Sequence, residues 1–180
     1  ISWALYPNYD WIRMDISFLG SPSMNPAGWI FWAIGMASTG VLLIPAISYL
    51  RRNLMAVNNR WTLVGASFYY LAAIGTILLG SIPQFSGEVF YYFHVIDAGL
   101  AFGGLYLGTW NLGMMLFNSK EYRRRSLIVI TLGFAPPIGF SITQVIRLSM
   151  NAPKNFDIWY FNFSMWEWVL LYGILLAFLS

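Results

Sequence analysis

Apolar residues in this chain come in long blocks rather than in stripes. Residues 29–50, 61–87, 98–119 and 126–146 contain no Asp, Glu, Lys or Arg, and each block exceeds the roughly 18 apolar residues that mark a membrane-spanning helix. A fifth block, from about 158 to 180, is interrupted only by Glu167. The pattern predicts spans over 29–50, 61–82, 89–117, 126–148 and 158–179. Residues 1–28 are different, mixing aromatic and polar residues with the breakers Ser21-Pro22, Asn25-Pro26 and Gly28. Asp15 to Gly20 suits a short interfacial helix, and Pro26 suits the first turn of the helix that follows. Pro45 in the first span and Pro136-Pro137 in the fourth predict kinks that neighbouring groups must compensate.

Composition agrees with the blocks. The chain has 180 residues, 58% hydrophobic and only 9% charged, whereas a soluble domain carries about a quarter charged residues. The fold class expected is all-α, a polytopic transmembrane bundle forming one domain over residues 1–180. A β-barrel is disfavoured, because its strands would be about ten residues of alternating polarity. The absence of cysteine excludes disulfides and thiolate chemistry, and the single histidine excludes multi-histidine metal sites. Neither a metal nor another cofactor is expected, and phosphate-cradling motifs are absent.

The net charge of +3 falls in short loops, so it reports topology rather than nucleic-acid binding. Arg51, Arg52, Arg60, Lys120, Arg123, Arg124 and Arg125 lie on one side, against Arg13, Arg147 and Lys154 on the other. The positive-inside rule places the larger group in the cytoplasm, residues 1–28 outside and the C-terminus inside. The chain opens on Ile-Ser-Trp-Ala-Leu-Tyr, which reads as the wet end of a helix begun earlier. A sixth, upstream span, or a processed segment, is therefore expected.

Charges inside a bilayer are costly and each needs a reason. His94, Asp97, Arg147 and Glu167 all fall in the outer halves of the predicted spans. By a rise of about 1.5 Å per residue, Asp97 and Glu167 sit at compatible depths and either can pair with Arg147. Asp15, Arg13 and Ser17 belong to the segment that can cap such a cluster. Three uses remain open. The pair fixes helix register; the group binds a lipid headgroup; or His94 and Asp97 act as base and orienter toward a nucleophile such as Ser17. As a zinc set, His94, Asp97 and Glu167 beside an arginine are poor. In Trp166-Glu167-Trp168 the carboxylate sits between two indoles, as in an aromatic belt or under a cationic headgroup.

Helical spacing puts His94, Asp97, Ala101, Gly104 and Gly108 on one face. Gly99, Gly103, Gly104 and Gly108 also form two small-xxx-small pairs, which let helices approach closely within the chain or between two copies.

Several of these motifs resemble the family of six-helix membrane proteins that includes the DRAM autophagy modulators, and its prokaryotic relatives. The resemblance is carried by Tyr6-Pro7-Asn8-Tyr9-Asp10 with Asp15-Ile16-Ser17-Phe18-Leu19-Gly20, and by Asn25-Pro26. It continues through His94 with Asp97-Ala98-Gly99-Leu100-Ala101-Phe102 and Gly104-Leu105-Tyr106, to Phe163-Ser164-x-x-Glu167-Trp168. It implies six helices, one of them upstream of this sequence, and a function near lipid handling, GPI-anchor remodelling or lipid-kinase scaffolding. It also implies a site at Ser17, His94, Asp97 and Glu167. The first expectation is an outer-leaflet site binding lipid headgroups through Ser17, His94, Asp97, Arg147 and Glu167, more in keeping with binding than with catalysis. A structural accessory subunit of a larger membrane complex is the second, and an intramembrane lipid hydrolase or acyl-remodelling enzyme the third. The partners expected are membrane lipid and other membrane subunits or a second copy of the chain, not nucleic acid.

Overall fold

The computed structural model describes residues 1–82, 88–152 and 162–179. Every regular element among them is helical. After two short 3-10 helices, Trp3–Leu5 and Ile16–Gly20, come α1 (Trp29–Leu54), α2 (Asn59–Ser81) and α3 (Glu88–Ala98). A π-helical turn, Gly99–Gly103, joins α3 to α4 (Gly104–Phe117), and α5 (Arg123–Ser149) and α6 (Phe163–Leu179) complete the chain. Four stretches are long and apolar enough to cross a membrane: Trp29–Leu54, Asn59–Ser81, Val89–Phe117 and Arg123–Ser149. The helix α6 has 17 described residues. The expected loop over 151–157 and the expected start of the last span at 158 fall mostly outside the described residues, as does most of the 81–88 loop.

Helix α2 is the centre of the bundle. Asn58 caps it, its Oδ1 accepting the Trp61 N–H at 3.1 Å, which satisfies a free amide of the first turn. Along its length Gly65, Ala66, Ala72, Ala73, Gly75, Thr76 and Gly80 are all buried, so other helices reach its backbone from two sides. On one side is α1, where a Cβ on Gly80 would run into the backbone of Ala33 and Ala37. On the other lies the third span, where a Cβ on Gly104 would come 2.6 Å from the Phe68 carbonyl oxygen. Lipid tails give apolar helices no drive to associate, so dispersion at such short range holds them together.

Polar bonds lock the remaining pairs. Ser126 Oγ on α5, fully buried, donates to the Gly113 carbonyl on α4 at 2.6 Å. Tyr106 on α4 donates to the Leu170 carbonyl on α6 at 2.7 Å. The two prolines of α5 stay inside a continuous helix. Pro136 removes the amide that would bond Leu132, and at that level Gly173 lets α6 close onto Pro136 and the Leu132 carbonyl. Large apolar side chains such as Leu42, Tyr49, Leu63, Ile74, Val145 and Leu148 are exposed. Apolar residues outside and small or polar residues inside are the distribution that a lipid solvent selects.

Residues 1–28 fold onto one end of this bundle. Asn25 is fully buried and organises them. Its Nδ2 donates to Ser2 Oγ at 3.0 Å and to the Leu19 carbonyl at 3.1 Å, while its Oδ1 accepts from the Gly28 N–H at 3.1 Å. The first helix starts at Trp29, so Pro26 lies in the turn ahead of it rather than in its first turn.

Candidate functional site

The 3-10 helix Ile16–Gly20 packs into the protein, with Ile16, Ser17, Leu19 and Gly20 buried. Its leading residue, Asp15, is also buried and accepts a hydrogen bond from Ser164 Oγ at 2.5 Å across 149 positions of sequence. One residue on, the Ile16 N–H donates to Glu167 Oε2 at 2.7 Å. A 3-10 helix has free amides at its start just as an α-helix does, and a carboxylate from α6 satisfies this one. Ser164 and Glu167 lie three apart on the first turn of α6, hence on one face. Charged hydrogen bonds of this kind are roughly twice as strong as neutral ones. Together they clamp the N-terminal segment to the head of α6.

Tyr9 extends the clamp. Its hydroxyl lies 3.1 Å from both the Met14 and the Asp15 carbonyl oxygens and shares its proton between them. Burial pushes the phenol well above its ordinary range. The neighbouring Trp168 indole opposes that shift, and the carboxylates of Glu167 and Asp15 add to it. The Trp168 N–H lies near this hydroxyl but makes no hydrogen bond of good geometry. An unfolded tyrosine loses its proton at about pH 10. Between that value and the higher folded one the unfolded state binds fewer protons, so stability falls as pH rises. Alkaline titration is therefore expected to loosen residues 1–20, with the loss beginning above about pH 10. Tyr9→Phe should flatten that slope and remove one late step from the phenolate absorbance.

The other expected site residues are placed as follows. His94 is half-buried on α3, within electrostatic reach of Asp15. Asp97, one turn on, is 3% exposed, and its Oδ2 has no hydrogen-bond partner. It stands two residues before the π-helical turn, a distortion that recurs at functional sites. Ser17 is buried, and no hydrogen bond joins it to His94. The expected pairing of Arg147 with Asp97 or Glu167 does not occur. Arg147 Nε donates to Gln144 Oε1 at 2.8 Å and Nη1 to the Ala152 carbonyl at 3.1 Å. The last turn of α5 makes this possible. Asn151 takes a left-handed conformation at φ 51°, which asparagine tolerates at helix ends, and the chain turns back so that Ala152 faces the guanidinium. The only ion pair joining two described residues is Arg13–Asp10, at 4.0 Å.

Of the glycines, Gly104 and Gly108 meet α2, the latter against the Tyr69 ring. Gly75 of α2 completes the seam against the backbone of Ala101. Nothing lies within 4 Å of a Cβ at Gly99 or Gly103, so this pair stands outside the intramolecular seam. Among the described residues no three His, Asp or Glu side chains converge as metal ligands.

Ser164, present in the sequence analysis only as part of a motif, is the partner that was not assigned to the site. Its spacing from Glu167 on a helix head was the available signal, since serine three residues before glutamate is a common arrangement at helix N-termini. Here both side chains point across to another segment.

Fold and site together define a multi-pass helical membrane protein whose N-terminal segment is hydrogen-bonded over one end of the bundle. The chain belongs to the family described as "Protein of unknown function (DUF998)", which it matches over residues 1–177. No characterised protein and no solved structure matches it.

Proposed function

We propose that this protein binds lipid headgroups at the end of the bundle covered by residues 1–28, which the distribution of basic residues puts on the outer leaflet. The observation that carries this reading is Asp97. A carboxyl 3% exposed with an unpartnered oxygen costs free energy. It stands one turn from a half-buried histidine, at the end of the bundle where charged hydrogen bonds close a segment over the helices. Such an arrangement suits a polar ligand arriving from the membrane surface. Kinship with the DRAM-like proteins, proposed from the motifs at Asp15–Gly20, His94–Phe102 and Ser164–Trp168, supports the same reading.

The test is lipid analysis of the gently purified protein. Phospholipid is expected to co-purify with the wild type and to be depleted several-fold in Asp97→Asn with Glu167→Gln, the latter keeping an acceptor for the Ile16 N–H. Unchanged lipid in a folded double variant would remove the proposal.

A second reading, an accessory subunit of a larger complex, is favoured by α3, where Val89, Phe90, Tyr91, Tyr92, Phe93, Val95 and Ile96 are all exposed. Such a run suits another protein as well as lipid, and stoichiometric co-purification with defined subunits would support it. The hydrolase reading depends on Ser17 and His94, and lipid turnover unaffected by Ser17→Ala and His94→Ala would end it.

A further inference from the structure

The rings of Trp3, Trp11, Trp168 and Tyr172 line a cavity of about 440 Å³ at the junction of the N-terminal segment and α6. Trp3 is 61% exposed, Trp11 55% and Tyr172 55%, so three of the four rings are open to a ligand. Trp168 is half-buried and stacks on Tyr172, with ring centroids 6.0 Å apart and planes at 24°. The clamp described above creates this arrangement. Trp3 and Trp11 come from the segment that Asn25, Asp15 and Ile16 fasten down, and Trp168 and Tyr172 come from the helix it is fastened to. We propose that this cavity is an aromatic cage for the trimethylammonium group of a choline-bearing phospholipid, an assignment that rests on the headgroup reading and names its ligand.

The chemistry of the walls selects the ligand. Indole and phenol rings present negative faces, and tryptophan is the best of them for a cation. No lysine or arginine lines the cavity among the described residues. Arg13, close by in sequence, is not on the described wall and lies 4.0 Å from Asp10. Among the described residues a phosphate would find only indole and phenol donors there. A primary ammonium is compact and strongly hydrated and would need acceptors to replace its water, yet among the described residues of the wall the only side-chain oxygen is the Tyr172 phenol. A trimethylammonium group spreads its charge over methyl groups and needs no hydrogen bonds, so aromatic faces suffice. The position selects lipid over a free cation. Trp168 is five residues into α6 and therefore about 7 Å from its start, at the depth where interfacial tryptophans meet headgroups.

The experiment uses the full chain in nanodiscs of phosphatidylcholine, phosphatidylethanolamine or phosphatidylglycerol, with retained lipid counted by native mass spectrometry. The wild type should retain phosphatidylcholine roughly five-fold or more over phosphatidylethanolamine. Trp11→Leu should bring the ratio close to one, as should Trp168→Leu. Trp11 is exposed in a turn, so its variant keeps the test informative if Trp168→Leu fails to fold. Tetramethylammonium chloride should displace the retained phosphatidylcholine. Equal retention of the two zwitterionic lipids by the wild type would overturn the cage, as would a choline preference that survives Trp11→Leu. Tetramethylammonium binding without any preference for phosphatidylcholine would overturn the lipid assignment. If all three lipids are retained alike and lost in Asp97→Asn with Glu167→Gln, the headgroup reading stands and the cage falls. If none is retained, both fall.

Discussion

Gly104→Ala should destabilise the bundle by about 2–3 kcal/mol, while Gly103→Ala, one residue away, should change its stability by less than about 1 kcal/mol. The difference lies in what the new methyl group meets. At position 104 it would come 2.6 Å from the Phe68 carbonyl oxygen, 2.8 Å from the Ala72 amide nitrogen and 2.9 Å from the Ala72 Cβ. Two of these are backbone atoms of α2 and cannot rotate away. The helices must move apart, and every short contact along the seam through Gly75 and Gly108 weakens with them. At position 103 nothing lies within 4 Å, and alanine is the better helix former. Thermal or detergent unfolding followed by circular dichroism reads both variants. Equal losses would mean that Gly103 also packs against a neighbour, as in a dimer between copies. Equal tolerance would mean that α2 and the third span do not approach as closely as described.

The same pair shows how far the sequence could be read. Asp97, Ala101, Gly104 and Gly108 share a face by α-helical spacing, and all four are buried. Gly99 and Gly103 satisfy the small-xxx-small motif equally well but sit off that face, so periodicity was the better guide than the motif. The spans were legible for a similar reason: a bilayer forbids charge over about 20 residues, and that constraint is local and visible. The closure of the site was not. Asp15, Arg13 and Ser17 belong to the segment expected to cap the cluster, but the bond of Asp15 to Ser164 spans 149 positions and that of Ile16 to Glu167 spans 151, distances over which one sequence holds no pairing signal. Arg147 does not pair with a carboxylate, because compatible depth does not outweigh nearer acceptors. A long guanidinium near a helix C-terminus can satisfy itself on its own helix end and on the carbonyl just beyond, where the dipole also favours it. Gln144 and Ala152 provide those acceptors.

The clamp itself yields the other large effect. Ser164→Ala should destabilise the docked N-terminal segment by about 2 kcal/mol, the cost of removing a donor from a buried carboxylate. Ser164 is fully buried, so water cannot replace the lost bond without opening the contact. The release should be local: residues 1–20 gain rapid amide exchange and protease sensitivity, while α2 and the third span, whose contacts lie elsewhere, keep their protection. Asp15→Ala should do much the same. In the double variant the two losses should fall short of their sum by about 1.5–3 kcal/mol, since neither residue has this partner left to lose. Strict additivity would show that the bond carries no coupling and that other contacts hold the segment. Glu167→Gln makes the graded comparison. Its amide oxygen still accepts from the Ile16 N–H, so only the charge assistance is lost and the segment should loosen by about 1 kcal/mol or less. The ring cavity depends on the same docking, because Trp3 and Trp11 reach Trp168 and Tyr172 only while residues 1–20 stay in place. Ser164→Ala should therefore weaken retention of choline lipid without altering any ring, which tells a cage assembled by the clamp from four interfacial aromatics that each meet lipid alone.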